Sequence, residues 1–210
     1  RAGGDVVMLG AVGRDVHGDA LLQVLGDAGV RTDRIARVDE PTGTAHIVVD
    51  GTGDNRIVVV PGANGAVLTA PPDLPAALEG AAALLLQLEL PLEAVVEAAV
   101  LAHERGVPVL LTPAPVRPLP AALLSSVDVL VANEYEAAQL AGVTSVPDVV
   151  VTLGARGARW TSSSGATAEV PGHDVRVVDS TGAGDTFAGA LAVALAEGRP
   201  MPEALRWANA

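Results

Sequence analysis

Two glycines in a tight turn, an aspartate and an apolar run make up Thr181-Gly182-Ala183-Gly184-Asp185-Thr186-Phe187-Ala188. Glycine suits the turn, and the apolar run reads as a helix that begins there. A helix start presents unpaired N–H groups and the positive end of the helix dipole, an arrangement that suits phosphate. A carboxylate in the same place would repel that phosphate unless it had a task of its own. The economical reading gives a phosphoryl group to the amides and the proton of an attacking hydroxyl to Asp185, which is kinase chemistry. A plain helix cap by Asp185 accounts for the same letters. A dinucleotide fingerprint fits worse, because its third glycine would fall at Phe187. Just upstream, Asp179, Ser180 and Thr181 add oxygen donors that suit a monovalent or divalent cation.

Three other groups of residues carry possible chemistry. Asn133-Glu134-Tyr135-Glu136 follows an apolar run, where Asn133 can meet a ligand or, with Glu136 three residues on, form a capping box. Thr152, Leu153, Gly154, Ala155, Arg156 and Gly157 follow another. Their glycines let a backbone approach a flat or phosphorylated ligand, or simply make a turn. Glu89, in Leu86-Gln87-Leu88-Glu89-Leu90-Pro91, closes a run that reads as a buried strand. A carboxylate there needs a partner, and a sugar or a structural contact would supply one. The four histidines, His17, His46, His103 and His173, show no metal spacing, and His103 is expected on the outer side of a helix.

The elements that must hold these residues alternate along the chain. Residues 6–12, 82–88, 107–111, 127–131 and 149–153 read as strands, with helical patterns at 16–28 and from Leu92 to Ala102. This is the pattern of βαβ units on a mostly parallel sheet, an α/β fold. The connection between Ala141 and Val149 is short for a crossover, unless the strands there run antiparallel. Residues 44–49 and 56–60 break the alternation as two β-rich runs joined by Asp50-Gly51-Thr52-Gly53-Asp54-Asn55, a hairpin pattern. The hairpin reads as a flap over a site or as a decorated sheet edge.

Composition removes several function classes. The 210 residues are half hydrophobic, enough for one sizeable core, and the net charge of −12 disfavours nucleic acid and anionic membranes as partners. All 13 basic residues are arginines, so a phosphate loop with its lysine and a protein-kinase lysine are both excluded. Cysteine is absent, which excludes disulfides and thiolate chemistry. No apolar stretch is long enough to span a membrane, and a cytoplasmic protein is the expectation.

Taken in order, Thr42-Gly43, Gly62-Ala63-Asn64, LLLQLELPLEAV, TPAPVRPLP, VDVLVANEYEAAQLAG, TLGARG and TGAGDTFAGAL resemble the ribokinase family of PfkB-type carbohydrate kinases over essentially the whole chain. The resemblance implies a single ribokinase-like domain over 1–210, a three-layer α/β/α sheet with residues 41–61 as part of a small β-lid. It implies ATP-dependent phosphorylation of D-ribose at its 5-hydroxyl, giving ribose 5-phosphate and ADP. Another sugar or nucleoside kinase of the family (fructokinase-, deoxyribokinase- or adenosine kinase-like) and a non-catalytic nucleotide- or sugar-binding fragment stay open as alternatives.

By the same resemblance, Asp185 is the base and Gly182, Ala183 and Gly184 form the anion hole. Glu89 binds the sugar, and Asn133, the loop from Thr152 to Gly157 and Asn209 meet the nucleotide. Glu136 belongs to the magnesium–phosphate network, and Asp179 and Thr181 to an activating potassium site. A homodimer through the lid is implied as well. The family pattern also places a strand and a GGKGAN motif before Arg1, and further nucleotide-site residues after Ala210, so a chain incomplete at both ends is expected.

Overall fold

The computed structural model describes residues 2–49, 55–140, 145–178 and 180–210, of which 47–49 and 55–57 are described by their backbone alone. The residues fall into two compact units. The first gathers Asp5–Ala77 and Glu89–Ala94, and the second gathers Leu78–Leu88 and Val95–Ala210.

In the first unit, β1 (Gly10–Gly13), α1 (Val16–Asp27) and β2 (Ile35–Val38) form a βαβ turn whose strands pair in parallel from Gly10↔Ile35 to Gly13↔Val38. The strand expected over 6–12 is therefore shorter. A turn in which Ile35 N–H donates to the Thr32 carbonyl at 3.0 Å interrupts the pairing, leaving a single bridge from Val7 to Arg31 before it. Asp15 starts α1 by accepting from Gly18 N–H at 2.8 Å, and Gly29 follows its end at φ 81°. The hairpin is formed by β3 (Thr44–Val49) and β4 (Asn55–Val60), paired antiparallel from Thr44↔Val60 to Val49↔Asn55. It is a separate two-stranded sheet and not an edge of the larger one. A 3-10 turn (Gly62–Ala66) and α2 (Leu74–Ala77) follow.

The second unit is built on six strands in the order β10-β9-β8-β7-β6-β5. Along the chain they are β5 (Leu84–Leu86), β6 (Val109–Leu111), β7 (Val129–Asn133), β8 (Asp148–Thr152), β9 (Ala158–Ser162) and β10 (Thr167–Val170). The first four are mutually parallel, while β9 and β10 run antiparallel at the far edge. The helices are α3 (Leu92–Glu104), α4 (Ala121–Leu124), α5 (Glu134–Gln139), α6 (Ala183–Ala196) and α7 (Met201–Ala208).

Every residue of β6 and the first four of β7 are buried, so both faces of the sheet are covered. On one face, Leu110, Val129, Val131 and Val150 pack with Phe187, Leu191 and Ala194 of α6 and Ala204, Leu205 and Ala208 of α7. Val109, Leu111, Leu130 and Ala132 alternate with these and are equally buried, and α3 and α4 bury apolar residues of their own, among them Val95, Ala99, Ala102 and Leu123. The three-layer α/β/α expectation is met. The strand expected over 82–88 narrows to β5, an edge strand with one neighbour, and Leu85 is 42% exposed. The short connection before β8 belongs to a parallel crossover through the six-residue α5, although 141–144 lie outside the described residues. His103 is exposed on α3, as expected.

Candidate active site

Asn133 and the 152–157 loop of the second unit lie where parallel strands end. In an open α/β sheet the carboxyl ends of the strands border the ligand crevice, because the loops there leave the sheet without a covering helix. Asn133 ends β7 and Thr152 ends β8, neighbours paired at Asn133↔Thr152.

At Asn133 the capping box is realised. Its Oδ1 accepts from Glu136 N–H at 2.9 Å, and Glu136 Oε2 accepts from Asn133 N–H at 2.9 Å. These bonds use one oxygen of each side chain. The Asn133 Nδ2 amide group and the second Glu136 oxygen lie outside these two bonds. Between them, Glu134 forms an ion pair with Arg156 that ties the start of α5 to the loop after β8. The hydrogen bond and the charge of Glu134 raise the Arg156 guanidinium above its ordinary value.

The loop after β8 is a 3-10 turn (Gly154–Arg156) closed by Leu153 N–H donating to the Gly157 carbonyl at 2.7 Å. Gly157 sits at φ 98°, and a Cβ there would lie 2.0 Å from the Val170 carbonyl oxygen. A Cβ on Gly172 would lie 2.1 Å from the Ala155 carbonyl oxygen. Backbone thus packs on backbone with no room for a side chain, and the loop is held open toward solvent on its other side. Asn209, just past α7, donates through Nδ2 to the Pro171 carbonyl at 2.8 Å and so joins the same cluster.

The start of α6 differs. Its N-cap is Gly182 in the left-handed region at φ 73°, no side chain caps it, and Asp185 stands in the first turn. The plain helix cap weighed for Asp185 is not what the fold builds. Residues 181–186 are all exposed, while Phe187, Ala188 and Leu191 anchor the helix in the core. Within the turn, Ala183 N–H donates to the Ser180 carbonyl at 3.1 Å. Asp179 lies outside the described residues, and Thr181 is exposed and makes an interaction of its own.

Glu89 is exposed, three residues beyond the end of β5, so it does not terminate a buried strand as its apolar surroundings suggest. The segment before it is fixed instead by the loop after β6. Thr112 N–H donates to the Leu86 carbonyl at 2.9 Å, Leu88 N–H to the Ala114 carbonyl at 2.9 Å, and Arg117 donates to the Leu88 carbonyl. Leu88 is fully buried, which anchors the peptide leading into Glu89. Sequence reasoning passed over Arg117, although its place in TPAPVRPLP was visible. It also passed over Asp15, whose two oxygens bind Thr42 at 2.7 and 2.8 Å. Among the described residues no group of three or more His, Asp or Glu side chains could hold a metal alone. No helix among them is long and apolar enough to cross a membrane.

The pattern of the pfkB family carbohydrate kinases matches residues 1–210. The chain belongs to this family. A ribokinase of Bacillus subtilis is 40% identical over 219 residues, with 100% of this chain and 74% of the relative aligned. A ribokinase of Schizosaccharomyces pombe is 39% identical over 225 residues, covering 97% of this chain and 71% of the relative. The solved ribokinase of Arabidopsis thaliana complexed with ribose and ATP superposes with a TM-score of 0.90 at 33% identity, over 98% of this chain and 73% of the other. The pfkB assignment makes the chain a carbohydrate kinase, and the three-layer α/β/α fold is the one its ribokinase neighbours share.

Proposed function

We propose that the protein transfers the γ-phosphoryl group of ATP to the 5-hydroxyl of D-ribose, giving ribose 5-phosphate and ADP. The observation that carries this reading is the uncapped, exposed start of α6 with Asp185 in its first turn. Ribokinases at 39% and 40% identity support the choice of sugar. The single family match over 1–210 supports one catalytic domain.

Asp185 accepts the proton of the sugar hydroxyl as its oxygen attacks phosphorus, and the amides of Gly182 and Gly184, with that of Ala183 once it exchanges the Ser180 carbonyl for the anion, meet the charge on the transferred group. Glu89 binds the sugar. The nucleotide lies against Asn133, against the 152–157 loop, where Arg156 is the exposed cation, and against Asn209. Phosphoryl transfer needs little covalent help from a protein, so positioning and charge neutralisation supply most of the acceleration.

Magnesium suits a site with one or two carboxylates and substrate phosphates, and the half-buried Glu136, with one oxygen outside its capping bond, fits that requirement. When bound, Mg²⁺ neutralises charge on the phosphates. Thr181 fits a potassium site as an exposed oxygen donor beside the α6 turn, with Asp179 as its proposed companion. The hairpin serves as a lid on the sugar. Its exposed Val58, Val59 and Val60 suit a homodimer contact through that lid. A cytoplasmic location accords with this chemistry.

The test is a coupled assay with ATP and a panel of ribose, 2-deoxyribose, fructose and adenosine, with the product identified by mass and by ³¹P resonance. Ribose is expected to give the highest kcat/KM, with phosphate on C5. A higher value for fructose or adenosine would move the assignment elsewhere in the family. No turnover with any of them would favour a binding protein.

A further inference from the structure

The hairpin has little to hold it at a fixed angle. Among the described residues its two strands pair only with each other, and an isolated two-stranded hairpin is marginal in water. Its orientation is therefore decided at its base, where residues 41–43 enter and 61–63 leave.

That base is dense. Ala63 N–H donates to the Pro41 carbonyl at 2.8 Å. A Cβ on Gly43 would lie 2.6 Å from the Pro61 carbonyl oxygen. A Cβ on Gly62, at φ 51°, would lie 2.3 Å from the Pro41 carbonyl oxygen. The two chain segments thus cross backbone against backbone, and the 3-10 turn that follows lies near β1 with Ala63 fully buried. Thr42 adds the side-chain hydrogen bonds between this base and the rest of the unit. It is 5% exposed, and its N–H donates to Asp15 Oδ2 at 2.8 Å. Its hydroxyl donates to Asp15 Oδ1 at 2.7 Å and accepts from Gly13 N–H at 2.9 Å. Asp15 Oδ1 also accepts from Gly18 N–H at 2.8 Å, capping α1. Two further close approaches seal the junction. A Cβ on Gly13 would lie 2.5 Å from Thr42 N, and one on Gly18 would lie 2.4 Å from the Gly13 carbonyl oxygen.

We infer that Asp15 and Thr42 act as a pin that fixes the angle of the hairpin to β1 and α1, and that both are positioning residues for sugar capture. The inference rests on the reading of the hairpin as the sugar's lid. The pin has stringent chemical requirements. Thr42 must donate twice and accept once, which only a hydroxyl residue does here. Asp15 must accept on both oxygens, so an amide would set an NH₂ against the Thr42 N–H. Without the pin, a smaller fraction of molecules holds the hairpin where it can close on sugar, and the apparent affinity falls by that fraction.

Three variants of the full chain separate this role from ordinary stabilisation. Asp15→Ser keeps a capping oxygen for α1 but is too short to reach Thr42. Thr42→Val removes the hydroxyl at equal volume, and Thr42→Ser retains it. In Asp15→Ser and Thr42→Val, the KM for ribose is expected to rise about tenfold while that for ATP changes less than about twofold, with Thr42→Ser close to the parent chain. Hydrogen exchange is expected to quicken at the amides of β3 and β4 and to stay unchanged in β6, β7 and β8. The same exchange pattern is expected if the chain phosphorylates no ribose, so a failure of the kinase reading is recognised separately. Equal rises in both KM values, or exchange that quickens evenly over the whole chain, would overturn the pin. So would unchanged ribose KM and hairpin exchange in a folded Asp15→Ser protein.

Discussion

At the start of α5, Asn133 and Glu136 satisfy each other's backbone N–H groups, whereas α6 starts at a left-handed Gly182 that no side chain caps. Both helix starts are exposed and both carry an acidic residue in the first turn. The first has spent its acidic residue on its own amides. The second has left its carboxylate, Asp185, for something else. A glycine in place of a good capping residue costs a helix only about a few tenths of a kcal/mol. The α6 start is tolerated because Phe187, Ala188 and Leu191 anchor it in the core immediately afterwards. Similar ends of two helices are thus built differently, one closed by its own side chains and the other left uncapped, as the proposed phosphoryl site requires.

The sharpest break of this comparison is Asp185→Asn. Turnover with ribose is expected to fall by roughly 10²- to 10⁴-fold. ATP binding, measured by calorimetry, should remain, and near-normal turnover would remove Asp185 from the role of base. Next in size is Gly182→Asn, which gives α6 a residue of the type that caps α5. Asparagine tolerates the left-handed region, so Tm should shift by only a few degrees. The new side-chain oxygen would compete with the phosphoryl group, and kcat is expected to fall about tenfold. An unchanged kcat would mean that the anion does not sit at this helix start. Asn133→Ala removes a true cap and should cost about 1 kcal/mol in a denaturant titration. A rise in the KM for ATP without change in the KM for ribose would show the ligand edge of that residue.

The other helix capped by a side chain, α1, supplies a pH handle. Hydrogen bonds from the Thr42 hydroxyl and amide, and then from Gly18 N–H, hold the Asp15 carboxyl at about 2, against an ordinary 3.8. Because the folded value lies below the unfolded one, this stabilisation is complete above about pH 4 and is lost as the pH falls toward 2. Thermal melts between pH 5 and pH 2 should show that loss in the parent chain and a shallower one in Asp15→Ser. The smallest effect is expected from Glu134→Gln, which breaks an exposed ion pair and should move Tm by less than about 2 °C. A larger drop would show that the pair fixes the 152–157 loop.

The strands of the sheet centre were legible because burial on both faces makes them continuous apolar runs, as in Val109–Leu111 and Val129–Asn133. The antiparallel edge was missed. Ala158–Ser162 alternates Ala158 and Trp160 with Arg159 and Thr161 ahead of a Ser163-Ser164-Gly165 turn, so its period-2 signal was present but short. The reading of Glu89 as the end of a buried strand failed because LLLQLEL is apolar for two reasons. Leu84–Leu86 pairs in the sheet, and Leu88 is buried by the neighbouring loop. The glycine turn into α6, with Asp185 in the helix's first turn, was legible because its residues are contiguous. The bond between Asp15 and Thr42 was not, since 27 positions separate two residue types that are common on any surface.

One last consequence follows from the crossing at Gly43 and Gly62. The two ends of the hairpin meet within hydrogen-bonding distance, Ala63 N–H to Pro41 carbonyl, before either strand begins. A segment whose ends already touch can be lengthened, shortened or exchanged with almost no change in loop-closure entropy for the body that carries it. The hairpin is in this sense a cassette, free to vary in size and sequence while the crossing beneath it stays the same. Lineages that adapt this scaffold to other substrates or other partners have there a place to diverge without refolding the rest.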